Sequence, residues 1–312
     1  MELLTNSSRS LYQSCPRKFF FMHEQGYIPV KEHEALAFGK IFHSFLEALF
    51  SGKEAPVIPA EINPYTAVIL TELLTGYKAK WQQIKADAVE CEYVLPLLNP
   101  ATAAASRTFE LAGKIDAIVG DAVVEHKTTS DSIEDPSCEY WQRLSLDSQI
   151  SGYFLAAEKL GYKPTKVIYD VIKKPQIRPL KATPVEKRKY TKKDGKLYAD
   201  QRETDETPEE FAARLREDIA TNPDKYFQRR EIARLESDLT EYMQDLWSVA
   251  KLIMESRSEN YWPKRISQCF SYGRCPYYEV CAKIASLDDE SMYTKSDNKN
   301  PELSKEIFNG SF

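Results

Sequence analysis

The chain of 312 residues lacks any apolar run approaching the roughly 18–20 residues that a membrane-spanning helix needs. Its first residues, Met1-Glu2-Leu3-Leu4-Thr5-Asn6, offer neither a basic n-region nor an apolar h-region. A secretory leader is therefore not expected, and a cytoplasmic location is. In that compartment the six cysteines should be reduced or metal-bound rather than paired as disulfides. No internal repeat or low-complexity tract is found, which argues against a solenoid or a disordered tail protein. No Gly-x-x-x-x-Gly-Lys-Ser/Thr occurs, which argues against a P-loop motor within these residues.

What is present is an ordinary globular composition, 42% hydrophobic and 29% charged, with a net charge of −5. That acidic average argues weakly against a polyanionic partner, but it conceals an asymmetry. Ten basic residues lie between Lys173 and Lys196: Lys173, Lys174, Arg178, Lys181, Lys187, Arg188, Lys189, Lys192, Lys193 and Lys196. Only Glu186 and Asp194 oppose them. Such a stretch can attract phosphates, or be a solvated basic loop.

The periodicity predicts a mixed α/β fold. Asn6-Ser7-Ser8 caps a short helix ending near Cys15-Pro16. Leu36, Phe38, Phe42, Phe45, Leu46 and Leu49 mark an amphipathic helix over 35–50, and a second helix covers about 65–85. Strands are expected at 90–98, 108–119 and 122–127, the last two joined by a Gly120-Asp121 turn. A helix at about 146–160, closed by Gly161, leads into a buried strand at 166–172. Thr207-Pro208-Glu209-Glu210 starts a helix that Asn222-Pro223 ends, and a longer helix spans about 231–255. The tail after about Ser286 is polar and is expected to be mobile.

Chemistry concentrates in the expected hairpin. Gly113-Lys114-Ile115-Asp116 is followed, after eight residues, by Glu125-His126-Lys127. Alternation on a strand puts Glu125 and Lys127 on one face, and the short turn brings Asp116 near them. Two carboxylates on an otherwise apolar hairpin are costly without partners. A divalent cation such as Mg2+ or Mn2+ would satisfy them and could polarise a phosphoryl oxygen. A salt-bridged pair on an exposed face is the competing explanation. Gln149 and Tyr153, one helical turn apart, share a face. Cys269, Cys275 and Cys281 are evenly spaced, and Cys15 lies far away in sequence. Four thiolates would suit an iron–sulfur cluster or structural zinc, while four buried free cysteines are the plain alternative.

The Gly113–Asp116 and Glu125-x-Lys127 pair resembles the signature of the PD-(D/E)XK nuclease superfamily, with Ile115 standing where a proline is usual. The order of motifs resembles its RecB-like branch: the nuclease domains of RecB and AddB, the CRISPR-adaptation exonucleases and related phage proteins. The resemblance covers about 11–285. It implies a restriction-endonuclease-like core with a mixed central sheet. It also implies metal ligation by His43, Asp116, Glu125 and the main-chain carbonyl of His126, with Lys127 activating or orienting the attacking water. Gln149 and Tyr153 would contact substrate or position the site. Cys15, Cys269, Cys275 and Cys281 would hold a [4Fe–4S] cluster, although both cysteine gaps are five residues where the family often has Cys-x-x-Cys, which keeps zinc open. Phe270, Tyr272, Tyr277 and Tyr278 would shield it, and Cys91 and Cys138 are left as packing residues. The basic stretch (Lys173, Lys174, Arg178, Lys187, Arg188 and Lys189), together with Tyr153, would guide DNA.

A single nuclease domain is expected over 1–285. It comprises a catalytic core at 89–175, a basic and helical insertion at 176–260 and a cysteine segment at 261–285, before a flexible tail at 286–312. The implied activity is hydrolysis of DNA from ends or on single strands, with any helicase or recombination motor supplied by a separate protein. A structure- or site-directed endonuclease and an inactive DNA-binding module are the alternatives. No recognisable DNA-reading domain supports the first, and the intact Asp/Glu/Lys set opposes the second.

Overall fold

The structure is a computed structural model that describes residues 1–31, 34–82, 85–271 and 273–303. In chain order it contains β1 (Glu2–Leu4), α1 (Asn6–Ser14), α2 (Pro16–Phe19) running into a π-turn (Phe20–Glu24), β2 (Tyr27–Pro29), α3 (Glu34–Phe50) and α4 (Pro64–Lys80). Next come β3 (Ala88–Leu98), β4 (Ala105–Val119), β5 (Ala122–Thr129), α5 (Glu139–Ser145), α6 (Gln149–Lys159) and β6 (Lys166–Lys173). The chain ends with α7 (Pro208–Thr221), α8 (Pro223–Tyr226), β7 (Phe227–Ile232), α9 (Glu236–Glu259), α10 (Tyr278–Cys281) and β8 (Tyr293–Lys295).

The expected mixed α/β architecture holds. One six-stranded sheet runs β1-β4-β5-β6-β7, with β3 also paired to β4. Its β4–β5 and β6–β7 pairs are antiparallel, and its β5–β6 and β1–β4 pairs are parallel. Both faces are covered, which is why β6 reads as a nearly continuous apolar run and β5 begins as one. On one face Ile115, Val123, Val167, Tyr169 and Val171 join Ile150, Tyr153 and Leu246 from α6 and α9. On the other, Ala117, Val124 and Ile172 pack with Phe42, Phe45, Leu73 and Leu215 from α3, α4 and α7. Gly152 permits the close crossing of α6 and α9, since a Cβ there would lie 2.5 Å from the Tyr242 hydroxyl. Among the described residues no helix is long and apolar enough to cross a membrane.

Several local expectations change. The cap of α1 is Thr5, whose hydroxyl accepts from the Ser8 N–H at 3.1 Å, rather than Asn6-Ser7-Ser8. The second helix stops at Lys80, short of the expected end at 85; residues 83–84 lie outside the described residues. Residues 227–232 form β7 and pair with β6, where the start of a long helix is expected; α9 begins only at Glu236. The charged Gln-Arg-Arg-Glu of this strand hides a short alternating pattern that pairing with a buried neighbour selects. The region expected as an insertion, 176–260, therefore supplies a strand of the core sheet, and β1 adds another from the far N-terminus. The tail does not trail away: β8 pairs with β2, and Tyr293 and Leu303 are buried. Residues 304–312 lie outside the described residues.

Candidate active site

The sheet opens where the hairpin carries its charges. The β4–β5 ladder pairs Val119 with Ala122, Ile118 with Val123 and Ala117 with Val124. Beyond it the Asp116 carboxylate accepts the His126 main-chain N–H at 2.9 Å. A side chain thus takes over a ladder position, and the regular pairing of the two strands ends beside the buried carboxylates. Gly113 is needed nearby because a Cβ would lie 2.5 Å from the Tyr93 hydroxyl.

At this site the sequence-predicted residues converge. Glu125 is buried, and its Oε1 lies 2.5 Å from Lys127 Nζ. Lys127 also donates to Gln149 Oε1 at 2.9 Å, and Gln149 Nε2 donates to the Tyr153 hydroxyl at 2.6 Å. His43 on α3 brings Nδ1 to 3.7 Å from Asp116 Oδ2, with its side chain 36% exposed. The electrostatics record an excess of negative charge. Burial, and then the Glu125 charge, push Asp116 up to about 7. Burial and the His126 charge lower His43 to about 4, keeping it as the neutral imidazole that a metal ligand requires. Burial would lower Lys127, but Glu125 and Asp147 more than reverse this and keep it charged.

Among the described residues no three His, Cys, Asp or Glu side chains are gathered tightly enough to hold a metal ion as they stand. The chemistry of the site nevertheless fits one. Glu125 Oε2 is buried with no hydrogen-bond partner, and two carboxylates share one lysine beside a neutral histidine. A divalent cation would supply positive charge there. Sequence reasoning missed Asp147. It accepts the Gln149 N–H at 2.9 Å at the start of α6 and a hydrogen bond from the buried Tyr169 at 3.1 Å, and it faces Lys127. The signal was an Asp two residues before the helix Gln, a helix-start position.

Other expected residues are placed differently. Tyr153 is 2% exposed, so it positions Gln149 from within the core and presents no face for a base to stack on. Lys173 is buried, 3.8 Å from Glu134, and so is not presented to a strand. Lys174 is half-buried with Nζ over the Phe38 ring at 4.3 Å. The Arg188 guanidinium is engaged by the carbonyls of Thr183 and Glu203 at 2.9 and 2.8 Å. Arg178, Lys187 and Lys189 are exposed.

The remote cysteines are brought into one region, within electrostatic reach of each other, but among the described residues they are not gathered into a set of metal ligands. All six are free thiols. Arg17 N–H bonds the Pro263 carbonyl at 3.2 Å and Arg17 Nε the Trp262 carbonyl at 2.7 Å, tying the Cys15 segment to the C-terminal one. The Cys275 N–H bonds the Cys269 carbonyl at 2.8 Å. Burial raises the Cys275 and Cys281 thiols, and both feel Cys15. Of the expected aromatic shield, Tyr277 is buried, Phe270 is 62% exposed, and Tyr272 lies outside the described residues. Cys91 packs in the core as expected, and Cys138 Sγ reaches the Ser132 carbonyl at 3.1 Å.

Residues 4–282 match the family model of the PD-(D/E)XK nuclease superfamily. A crystal structure from Eubacterium rectale, described as that of a candidate exonuclease, is similar at 10% identity and a TM-score of 0.42, with 100% of this chain and 94% of that one covered. No curated protein matches the sequence. With the family match spanning nearly the whole chain and the Asp116, Glu125 and Lys127 set in one site, the protein belongs to the PD-(D/E)XK nuclease superfamily.

Proposed function

We propose that this nuclease is a divalent-metal-dependent deoxyribonuclease acting as an exonuclease on single strands or DNA ends. The observation that carries the metal-dependent part is the carboxylate pair: Glu125 Oε2 without a partner and Asp116 driven toward protonation by burial and then by the Glu125 charge. His43, Asp116 and Glu125 would hold Mg2+ or Mn2+, with the His126 main-chain carbonyl as a further ligand. The bound ion supplies charge stabilisation at a phosphoryl oxygen and a more acidic water. Lys127, gripped between Glu125 Oε1 and Gln149 Oε1, directs its ammonium to the same site. There it orients the attacking water and stabilises charge developing on phosphate. Tyr153, through Gln149, sets that orientation. Preference for ends rests on the resemblance to RecB-like exonucleases, and an endonuclease remains the second outcome of the test.

The test is cleavage of end-labelled linear and closed circular DNA with Mn2+, alongside thermal unfolding of the same samples. The Glu125→Ala variant is expected to lose at least about a thousandfold in rate, since metal charge stabilisation amounts to several kcal/mol. Mn2+ should raise the melting temperature of the wild type and not of the variant. Cleavage of circles would establish an endonuclease. Cleavage undiminished by the substitution would overturn the site.

We further propose that Cys15, Cys269, Cys275 and Cys281 hold a [4Fe–4S] cluster that clamps the two chain ends, with zinc as the alternative. What supports the reading is that Cys275 and Cys281 both feel the charge of Cys15, more than two hundred residues away in sequence; binding would have to draw the thiols closer than they stand. Anaerobically purified protein should show a broad band near roughly 400 nm. Colourless protein containing stoichiometric zinc would replace the cluster with a zinc site.

A further inference from the structure

The connection from β6 to α7 is a preformed arm. Its legs are zipped by main-chain bonds: Glu206 N–H to Leu180 O and Thr183 N–H to Arg202 O, both 2.8 Å, then Tyr198 N–H to Lys189 O at 3.1 Å and Thr191 N–H to Lys196 O at 2.7 Å. The tip turns at Asp194-Gly195, where Gly195 adopts φ +65°. At the foot, buried Glu206 receives the Arg214 guanidinium through two bonds of 2.8 and 2.7 Å and the Leu180 N–H at 2.7 Å. The root is fixed to the catalytic strand by the Lys174 N–H, which bonds the Thr129 carbonyl at 2.7 Å, two residues beyond Lys127. A solvated coil would need none of this bracing.

The arm displays an unusual surface. Tyr190 and Tyr198 are 51% and 47% exposed. Around them lie exposed Lys187, Lys189, Lys192, Lys193 and Lys196. Among the described residues, the one ion pair made by these five lysines is Lys196 with Asp194 at 3.9 Å. Two aromatic rings held open to water among lysines, in a chain whose net charge is −5, match the chemistry of a single nucleic-acid strand. Base faces stack on the rings whatever their identity, and lysines neutralise the phosphates between them. A duplex offers the phosphates but keeps its base faces stacked internally.

We propose that the arm at 185–198 binds single-stranded DNA by stacking bases on Tyr190 and Tyr198. The proposal rests on the reading of DNA as the substrate. It transfers to these two tyrosines the strand-guiding role that buried Tyr153 cannot fill.

The test is fluorescence anisotropy with labelled oligo-dT and with blunt duplex, in the Glu125→Ala background so that nothing is cleaved. Tyr190→Ala with Tyr198→Ala should weaken oligo-dT binding roughly ten- to hundredfold. Duplex binding and melting temperature should not change. Lys→Gln at 187, 189, 192 and 193 should flatten the salt dependence of oligo-dT binding by about 2–3 logarithmic units per decade. Unchanged oligo-dT affinity in the tyrosine variant, or an equal loss on duplex, would overturn the proposal. A parallel assay uses bis(p-nitrophenyl) phosphate with otherwise wild-type protein. The tyrosine variant should hydrolyse this small diester normally while its KM for oligo-dT rises. Wild-type protein that binds oligo-dT through the arm but cleaves neither substrate would remove the nuclease reading and leave the arm standing.

Discussion

The two faces of β5 carry buried charge in opposite ways. Behind the strand, Asp170 is fully buried. Its Oδ2 accepts from the Tyr77 hydroxyl and from Arg229 at 3.2 Å, and His126 Nδ1 stands 3.2 Å away in a charge contact. Burial alone would raise its pKa, but His126 and Arg229 outweigh this and hold it below the usual carboxylate range. In front, Asp116 and Glu125 share Lys127, and Asp116 is pushed up to about 7. Cations supplied by the protein hold Asp170 ionised, although its Oδ1 is as unpartnered as Glu125 Oε2; in front, two carboxylates have one lysine beside them, and Asp116 is driven toward its neutral form. The two sites differ in their balance of charge, not in their number of unpaired oxygens.

The sharpest way to break this comparison is to remove Asp170. Asp170→Ala leaves Arg229 without its carboxylate and should cost about 3–5 kcal/mol in urea unfolding, as loss of one partner of a buried pair does. Glu125→Ala also takes a carboxylate from Lys127, but it relieves the repulsion on Asp116 and leaves Asp147 and Asp116 to face the lysine, so it should cost less in metal-free protein. If the two variants were equally destabilised, the faces would not differ as argued.

A smaller effect follows from pH. In chelator-treated protein Asp116 holds its proton up to about 7, against 3.8 when unperturbed, so between those values the folded state binds more protons than the unfolded chain. Stability should therefore fall as pH rises through that window, by on the order of 3 kcal/mol. Urea midpoints compared at pH 5 and pH 8 test this. Asp116→Asn should abolish the drop, and a wild type more stable at pH 8 than at pH 5 would contradict the excess of negative charge.

Much of the site was legible because it depends on local geometry. Alternation placed Glu125 and Lys127 on one face, and helix spacing joined Gln149 to Tyr153. The Gly120 turn, with φ +58°, set the hairpin that brings Asp116 near Glu125. Less legible were contributions whose meaning is fixed by distant partners. Local sequence puts Asp147 at a helix start and Asp170 in an apolar strand, but nothing local says which partners either one meets. Phe227–Ile232 became a strand because β6 offered a free edge. Lys173 and Arg188 belong to a basic run, yet burial beside Glu134 and two carbonyl contacts withdraw them from the surface.

The sequence by itself determined the mixed α/β class, the β4–β5 hairpin and the acidic and basic residue types it carries, since these follow from periodicity, turn chemistry and short spacing. Tertiary structure alone decided which charges were left unsatisfied, that Cys15 lies within electrostatic reach of cysteines from the other end of the chain, and which tyrosines face water. Burial and charge balance are sums over every neighbour in space, and residues far apart along the chain contribute to each of them.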